Sequence, residues 1–192
     1  MHDLLVKNAR VIDGTGAPWF LADVAITDGK ISAVGKIDAR ARRVIDAAGL
    51  VISPGFIDSH SHSDDSLLQN PHAESKVRQG VTTEVIGQCG ASAAPRTEAM
   101  EHEADDDFTS FADYLALVSQ KGVSLNVVPL VGHGNIRAIV MGYENRSATA
   151  EELASMCALT EECMLSGARG FTTGLIYPPG SYADHGEIVA MA

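Results

Sequence analysis

The chain has 192 residues, of which 45% are hydrophobic, 20% charged and 5% aromatic, which is typical of a folded globular protein and excludes a disordered or collagen-like one. Its formal net charge of −11 argues against nucleic acid or an anionic membrane surface as a partner. Three cysteines are too few for a disulfide framework, and the N-terminus lacks a signal-peptide pattern. The apolar runs are far shorter than the roughly 20 residues of a membrane helix. We therefore expect a cytoplasmic protein.

The first 50 residues predict a small antiparallel β-unit. About five short strand-like runs are separated by turn-forming pairs such as Asp13-Gly14. The pair Asp28-Gly29 stands between two alternating apolar runs and predicts a tight hairpin. We therefore expect one β-domain at residues 1–50 and a second domain at residues 51–192.

The second domain predicts four units in which a strand precedes a helix. The strands are expected at 51–58, 81–86, 124–131 and 170–175. The helices are expected at 73–79, at 111–121, after the capping box Thr149-x-x-Glu152, and after a second capping box, Asp184-x-x-Glu187. Such α/β units specify a parallel sheet, either an open doubly wound sheet or the first half of a (β/α)8 barrel, and the length does not decide between them.

Three residues at the ends of the first two of these strands predict a metal site. His60 and His62 are two residues apart on an extended segment, so both imidazoles face the same side and can bind one ion such as Zn²⁺. Cys89 follows the second strand, and its thiolate is a good zinc ligand. The alternatives are two solvated histidines and a cysteine that only packs, as we expect for Cys157 and Cys163 in the core of a helix.

Three further residues have two readings each. Asp64 either orients a histidine of the site or caps the following helix. His133 is either a substrate-binding residue or a loop histidine bonded to the backbone, and Tyr177 either contacts the substrate or only packs. The acidic run at 101–107 lacks the spacing of a calcium loop and predicts an exposed loop, with His102 in solvent.

Four segments carry a resemblance to a known family. The segment PGFIDSHSHSD at 54–64 resembles the first barrel strand of the amidohydrolase superfamily, and the β-unit before it resembles that superfamily's β-sandwich. The segments GQCG at 87–90, VGHGNIR at 131–137 and GLIYPPG at 174–180 are similar to those of the N-acyl-D-amino-acid deacylases, the D-aminoacylase family. The resemblance covers nearly the whole chain, from about Leu4.

The resemblance implies a fold and a function. The fold is a TIM-like (β/α)8 metal-dependent hydrolase barrel, of which this chain supplies the first four units after a β-sandwich portion. The activity is zinc-dependent hydrolysis of a small N-acyl-D-amino acid, with His60, His62 and Cys89 as zinc ligands. The family's other two ligand histidines lie on strands five and six, and its catalytic aspartate lies on strand eight. We therefore expect the 192 residues to be inactive alone, and to self-associate or to need a C-terminal half.

Two other functions stay open at this point. Cyclic-amide hydrolases of the dihydropyrimidinase or dihydroorotase type bridge two metals with a carboxylated lysine after strand four. The last lysine here is Lys121, so that bridging ligand is missing. The second alternative is a non-catalytic half-barrel that pairs with another chain, because a half-barrel leaves sheet edges unpaired.

Overall fold

The computed structural model describes residues 1–97, 100 and 106–192, which divide into two compact units, Met1–Gly55 and Phe56–Ala192. The division lies beyond the predicted boundary at residue 50. Most of the acidic run at 101–107, including His102, lies outside the described residues.

The first unit is one five-stranded sheet. Its strands are β1 (His2–Val11), β2 (Phe20–Thr27), β3 (Lys30–Gly35), β4 (Ala41–Asp46) and β5 (Val51–Ile52). Strand β2 pairs antiparallel with β1 and β3, whereas β4 and β5 run parallel to β1. The prediction of a purely antiparallel unit is wrong, because the link after β3 returns the chain to the start of β1, where His2 pairs with Ala41.

The hairpin between β2 and β3 is confirmed. Asp28 and Gly29 have φ values of 51° and 70°, the left-handed pair of a type I′ turn. Strand β1 has a bulge, where Asn8 has a φ of 61° and its backbone N donates to Asp23 Oδ1 at 2.9 Å. One face of the sheet carries the core of this unit: Val6, Ala9, Val11, Ala22, Val24 and Ala47.

The second unit is built on parallel strands that are adjacent in chain order. They are β6 (Phe56–Asp58), β7 (Val81–Ile86), β8 (Asn126–Pro129), β9 (Val131–Gly132) and β10 (Phe171–Thr172). Strands β6, β7 and β8 form one ladder, and β9 pairs with β10. Between β8 and β9, Leu130 N donates to Ile86 O and Val131 N donates to Gly170 O, so one stretch of chain joins both ladders. This order matches a (β/α)8 barrel, whereas a doubly wound sheet reverses its order at a switch point.

Three of the predicted strands are wrong in extent. The strand expected at 124–131 is two strands in different ladders, Asn126–Pro129 and Val131–Gly132. The strand expected at 51–58 is two strands in different sheets, since Val51–Ile52 pairs with β1 and Phe56–Asp58 pairs with β7. Pro54 lies between them and has no N–H to donate to a ladder. The strand expected at 170–175 is only Phe171–Thr172, because the backbone then turns and Tyr177 N donates to Gly174 O.

Six helices are present in the described residues of the second unit. They are α1 (Ser66–Gln69), α2 (Glu74–Val77), α3 (Phe111–Lys121), α4 (His133–Met141), α5 (Ala150–Ser166) and α6 (His185–Met191), with a 3₁₀ turn at Gly180–Tyr182. Helices α1 and α4 were not predicted. None of the described helices is long and apolar enough to cross a membrane.

The capping boxes differ in outcome. The box of α5 is formed in both directions, between Thr149 and Glu152. At α6, Asp184 accepts from Glu187 N, but the side chain of Glu187 is buried and contacts Arg137 instead, so the second box is only half formed.

Cys163 in α5 is 1% exposed, as predicted, and burial raises the pKa of its thiol to about 11.

Candidate metal centre

Three side chains at the ends of β6 and β7 converge on one point. The ligand atoms of His60, His62 and Cys89 all lie within 4.8 Å of one another, and Cys89 Sγ is 3.3 Å from His60 Nε2. Both histidines are exposed and Cys89 is half-buried, so solvent and substrate can reach the cluster. Two imidazole nitrogens and one thiolate fit tetrahedral Zn²⁺, and three protein ligands leave one position for water or substrate.

The segment that carries the histidines has two chemically different sides. His60 and His62 point to one side, and the alternating Ser61 and Ser63 hydrogen-bond to Glu84 on the other. Ser61 N donates to Val85 O at 3.0 Å, so the segment stays paired with β7 beyond the end of β6. The alternation predicted from sequence is therefore present.

The position of Cys89 depends on close contacts between backbones. Cys89 has a φ of 56° and Gly90 a φ of 75°, so both are in the left-handed region. A Cβ on Gly174 would lie 1.9 Å from Cys89 O, and a Cβ on Gly132 would lie 2.6 Å from Gly90 O. Gly90 N also donates to Thr172 Oγ1 at 3.3 Å. The end of β9 and the chain after β10 thus pack directly against the turn that carries the thiol, which only glycine permits at these two positions.

Asp64 accepts hydrogen bonds from the backbone on both sides of the turn that carries Cys89. Its side chain is buried, which raises the pKa of its carboxyl, while hydrogen bonds from the backbone of Gly87 and Ala93 act in the opposite direction. Ala93 N lies 3.4 Å from Asp64 Oδ1. Asp65, and not Asp64, is the N-cap of α1. The predicted role of Asp64 beside a histidine stays a prediction.

A cavity of about 340 Å³ opens beside the cluster. His62 and Cys89 line one part of it, and Tyr143, Asn135 and Tyr177 line others. Tyr177 is 58% exposed, so a ligand in the cavity can reach its side chain. Tyr143 and Asn135 were not predicted as site residues, because the sequence pattern at α4 predicts a loop and not a helix. Gly142 at the C-cap of α4 was the signal that a helix ends just before Tyr143.

His133 lies inside the protein and not at the cavity surface. It is fully buried, and its Nε2 lies 2.8 Å from Glu187 Oε1, while Arg137 contacts the other oxygen of Glu187. Its Nδ1 has no hydrogen-bond partner within the described part of the chain and faces Gly180, whose Cβ would lie 3.4 Å away. Contact between His133 and a substrate therefore stays a prediction.

Comparisons with known proteins agree with this arrangement. The Amidohydrolase family matches residues 43–174. A D-aminoacylase of Alcaligenes xylosoxydans xylosoxydans is 41% identical over 97% of this chain and 40% of its own length. A solved D-aminoacylase structure superposes on all of this chain with a TM-score of 0.93 and 42% identity, over 42% of that chain.

A second solved structure is an N-acyl-D-glutamate deacylase from Bordetella bronchiseptica, complexed with zinc and a phosphonate that mimics the tetrahedral intermediate of its reaction. It superposes on all of this chain with a TM-score of 0.92 and 36% identity, over 42% of that chain. The chain therefore spans about 40% of the length of the relatives it matches. The predicted fold, the N-terminal part of an amidohydrolase barrel enzyme, is confirmed.

Proposed function

Because the chain belongs to the amidohydrolase family, we propose that the complete protein hydrolyses the amide bond of N-acyl-D-amino acids to a carboxylate and a free D-amino acid, with zinc as its cofactor. The observation that carries the proposal is the convergence of His60, His62 and Cys89 beside an open cavity. The D-aminoacylase relative supports the substrate class, and the zinc and phosphonate complex of the Bordetella bronchiseptica enzyme supports the metal and the reaction type.

The three side chains have separate roles in this proposal. His60 and His62 would bind zinc through neutral imidazole nitrogens, and Cys89 would supply the one anionic ligand of the set. Bound zinc polarises a carbonyl and lowers the pKa of water to about 7, which overcomes the low reactivity of an amide. Tyr177 would hydrogen-bond the oxyanion or the substrate carboxylate from the cavity wall. In the resemblance described above, the aspartate that transfers the proton lies outside these 192 residues.

We also propose a small-molecule partner and a cytoplasmic location for the protein. The partner is a small N-acyl amino acid, and an acidic chain is not suited to bind nucleic acid or an anionic membrane. Cys89, Cys157 and Cys163 are all free thiols, which agrees with a reducing cytoplasm. The absence of a lysine from residue 122 to residue 192 argues against a cyclic-amide hydrolase with a carboxylated lysine after strand four.

The test uses the complete protein with N-acetyl-D-methionine and its L form as substrates. We expect zinc-dependent release of D-methionine, loss of activity on chelation, and recovery when zinc is restored. Cys89→Ala should lose tightly bound zinc, whereas Cys157→Ala, a half-buried thiol outside the cluster, should keep it. Activity that survives chelation, or full zinc content in Cys89→Ala, would refute the proposal.

A further inference from the structure

The two serines that alternate with the histidines rest on a single buried carboxylate. Glu84 lies on β7 and its side chain is 0% exposed. Ser61 Oγ donates to Glu84 Oε1 at 3.2 Å, and Ser63 Oγ donates to Glu84 Oε2 at 2.7 Å. Both oxygens of one carboxylate therefore hold the side of the segment that faces away from the candidate ligands.

A lysine joins this carboxylate to the end of β6. Lys76 Nζ lies 2.7 Å from Glu84 Oε1 and 2.6 Å from Asp58 Oδ2. Burial lowers the pKa of Lys76, but hydrogen bonds to Asp58 and Glu84 outweigh burial and raise it, so the lysine is charged. Asp58 Oδ1 in turn accepts from the backbone N of His60 at 3.3 Å.

An apolar side chain would fill the position of Glu84 at lower energetic cost. A buried carboxylate is strongly unfavourable unless it is paired and hydrogen-bonded, so its three donors are needed for it to be tolerated at all. Ile86, two residues along the same face of β7, is 1% exposed and apolar. The contacts at Glu84 thus need an explanation other than core packing.

That explanation lies in which residues the carboxylate holds. Ser61 and Ser63 flank His62 directly, and Ser61 follows His60. Because both serines donate to Glu84 on β7, a rotation of the backbone between them would break these hydrogen bonds. The hydrogen bonds thus favour the conformation in which the imidazole of His62 lies on the side of Cys89. Outer hydrogen bonds of this kind orient the ligands of metal sites.

We propose that Glu84, with its charge balanced by Lys76, is a positioning residue that fixes the His60–His62 segment and so sets the affinity of the site for metal. The effect on zinc rests on the proposed function, whereas the fixation of the segment does not. The residue acts through Ser61 and Ser63 and touches neither metal nor substrate.

Four variants of the complete protein test the proposal, with the zinc dissociation constant measured by chelator competition. Glu84→Gln and the milder Ser63→Ala should bind zinc about 10–100-fold more weakly, as loss of an outer ligand partner does. Ser63→Thr keeps the hydroxyl and should restore affinity to within about threefold of wild type. Lys76→Met should weaken binding in the same direction as Glu84→Gln.

Lys121→Met is the matched control. The Lys121 side chain is 27% exposed against 26% for Lys76, and its Nζ lies 2.6 Å from Asp106 Oδ2. The variant therefore removes a similarly exposed lysine that pairs with one carboxylate away from the histidines. It should lower the unfolding temperature without changing zinc affinity. A merely structural role for Glu84 would give the same result for Lys76→Met, with stability reduced and affinity intact.

Hydrogen exchange of the metal-free protein provides a second readout. The amide of Ser61, bonded to Val85 O, should exchange faster in Glu84→Gln and Ser63→Ala than in wild type, whereas amides of α5 should not change. Wild-type affinity and wild-type exchange in both variants would overturn the proposal. A wild-type protein that binds no zinc would refute the proposed function and the effect on affinity, and the exchange of Ser61 would still decide whether Glu84 fixes the segment.

Discussion

Substitution of Gly174 by alanine tests how the fold places the candidate thiol ligand. Gly174 follows β10, and a Cβ added there would lie 1.9 Å from Cys89 O. Ordinary contact of a Cβ begins at 3.4 Å, so the two backbones must separate by about 1.5 Å. Neither side can yield by side-chain rotation alone, because the clash is with a carbonyl oxygen of the backbone.

The size of this displacement predicts a loss of metal binding. Distances in a metal site must hold to about 0.2 Å, so a shift several times larger takes Cys89 Sγ out of reach of a metal bound by the histidines. We expect zinc affinity to fall by at least the 10–100-fold that loss of an outer partner costs. Overpacking should also destabilise the fold by about 1–3 kcal/mol.

Chelator competition on purified Gly174→Ala, with thermal unfolding alongside, provides the measurement. Gly170→Ala is the control, since its Cβ would meet only the flexible end of Leu130, at 3.0 Å from Cδ2. It should fold and keep its zinc. If Gly174→Ala folds and binds zinc as tightly as wild type, Cys89 does not depend on this backbone contact, or it is not a ligand.

Two further predictions concern the cavity wall and the buried network behind it. Tyr177→Phe in the complete protein should lower kcat about 10-fold or more while zinc content stays unchanged, because only the hydroxyl of this exposed residue is lost. Unchanged kcat and KM would exclude a role of the hydroxyl in catalysis or substrate binding. Glu187→Gln should lower the free energy of unfolding, measured in urea, by about 3–5 kcal/mol, because it leaves the charge of fully buried Arg137 without its partner. A decrease of less than about 1 kcal/mol would show that the pair contributes no more than a surface ion pair.

Local signals predicted the regular elements of the fold well. The apolar spacing in α3, the capping box of α5 and the Asp28-Gly29 turn each depend on residues close in sequence, and all three are present. The predictions were wrong where strand pairing depends on residues that are distant in sequence. Nothing near Val51–Ile52 indicates that it pairs with β1 rather than continuing into β6.

In the candidate site too, features that depend on neighbouring residues were predicted, and features that depend on distant residues were not. The histidine pair needs only a two-residue period on extended backbone, so sequence alone predicts that both rings share a side. Sequence also suggested Cys89, but it did not show what places this residue. Its position depends on Gly132 at the end of β9 and Gly174 after β10, which lie far away along the chain. Glu84 gave no signal at all, because an acidic residue on a strand reads as an exposed position. Its burial is explained by Ser61 and Ser63, which both donate to it. These serines lie on this side of the segment because they alternate with the two histidines. The same alternation therefore produces both the ligand side of the segment and the side that holds it in place.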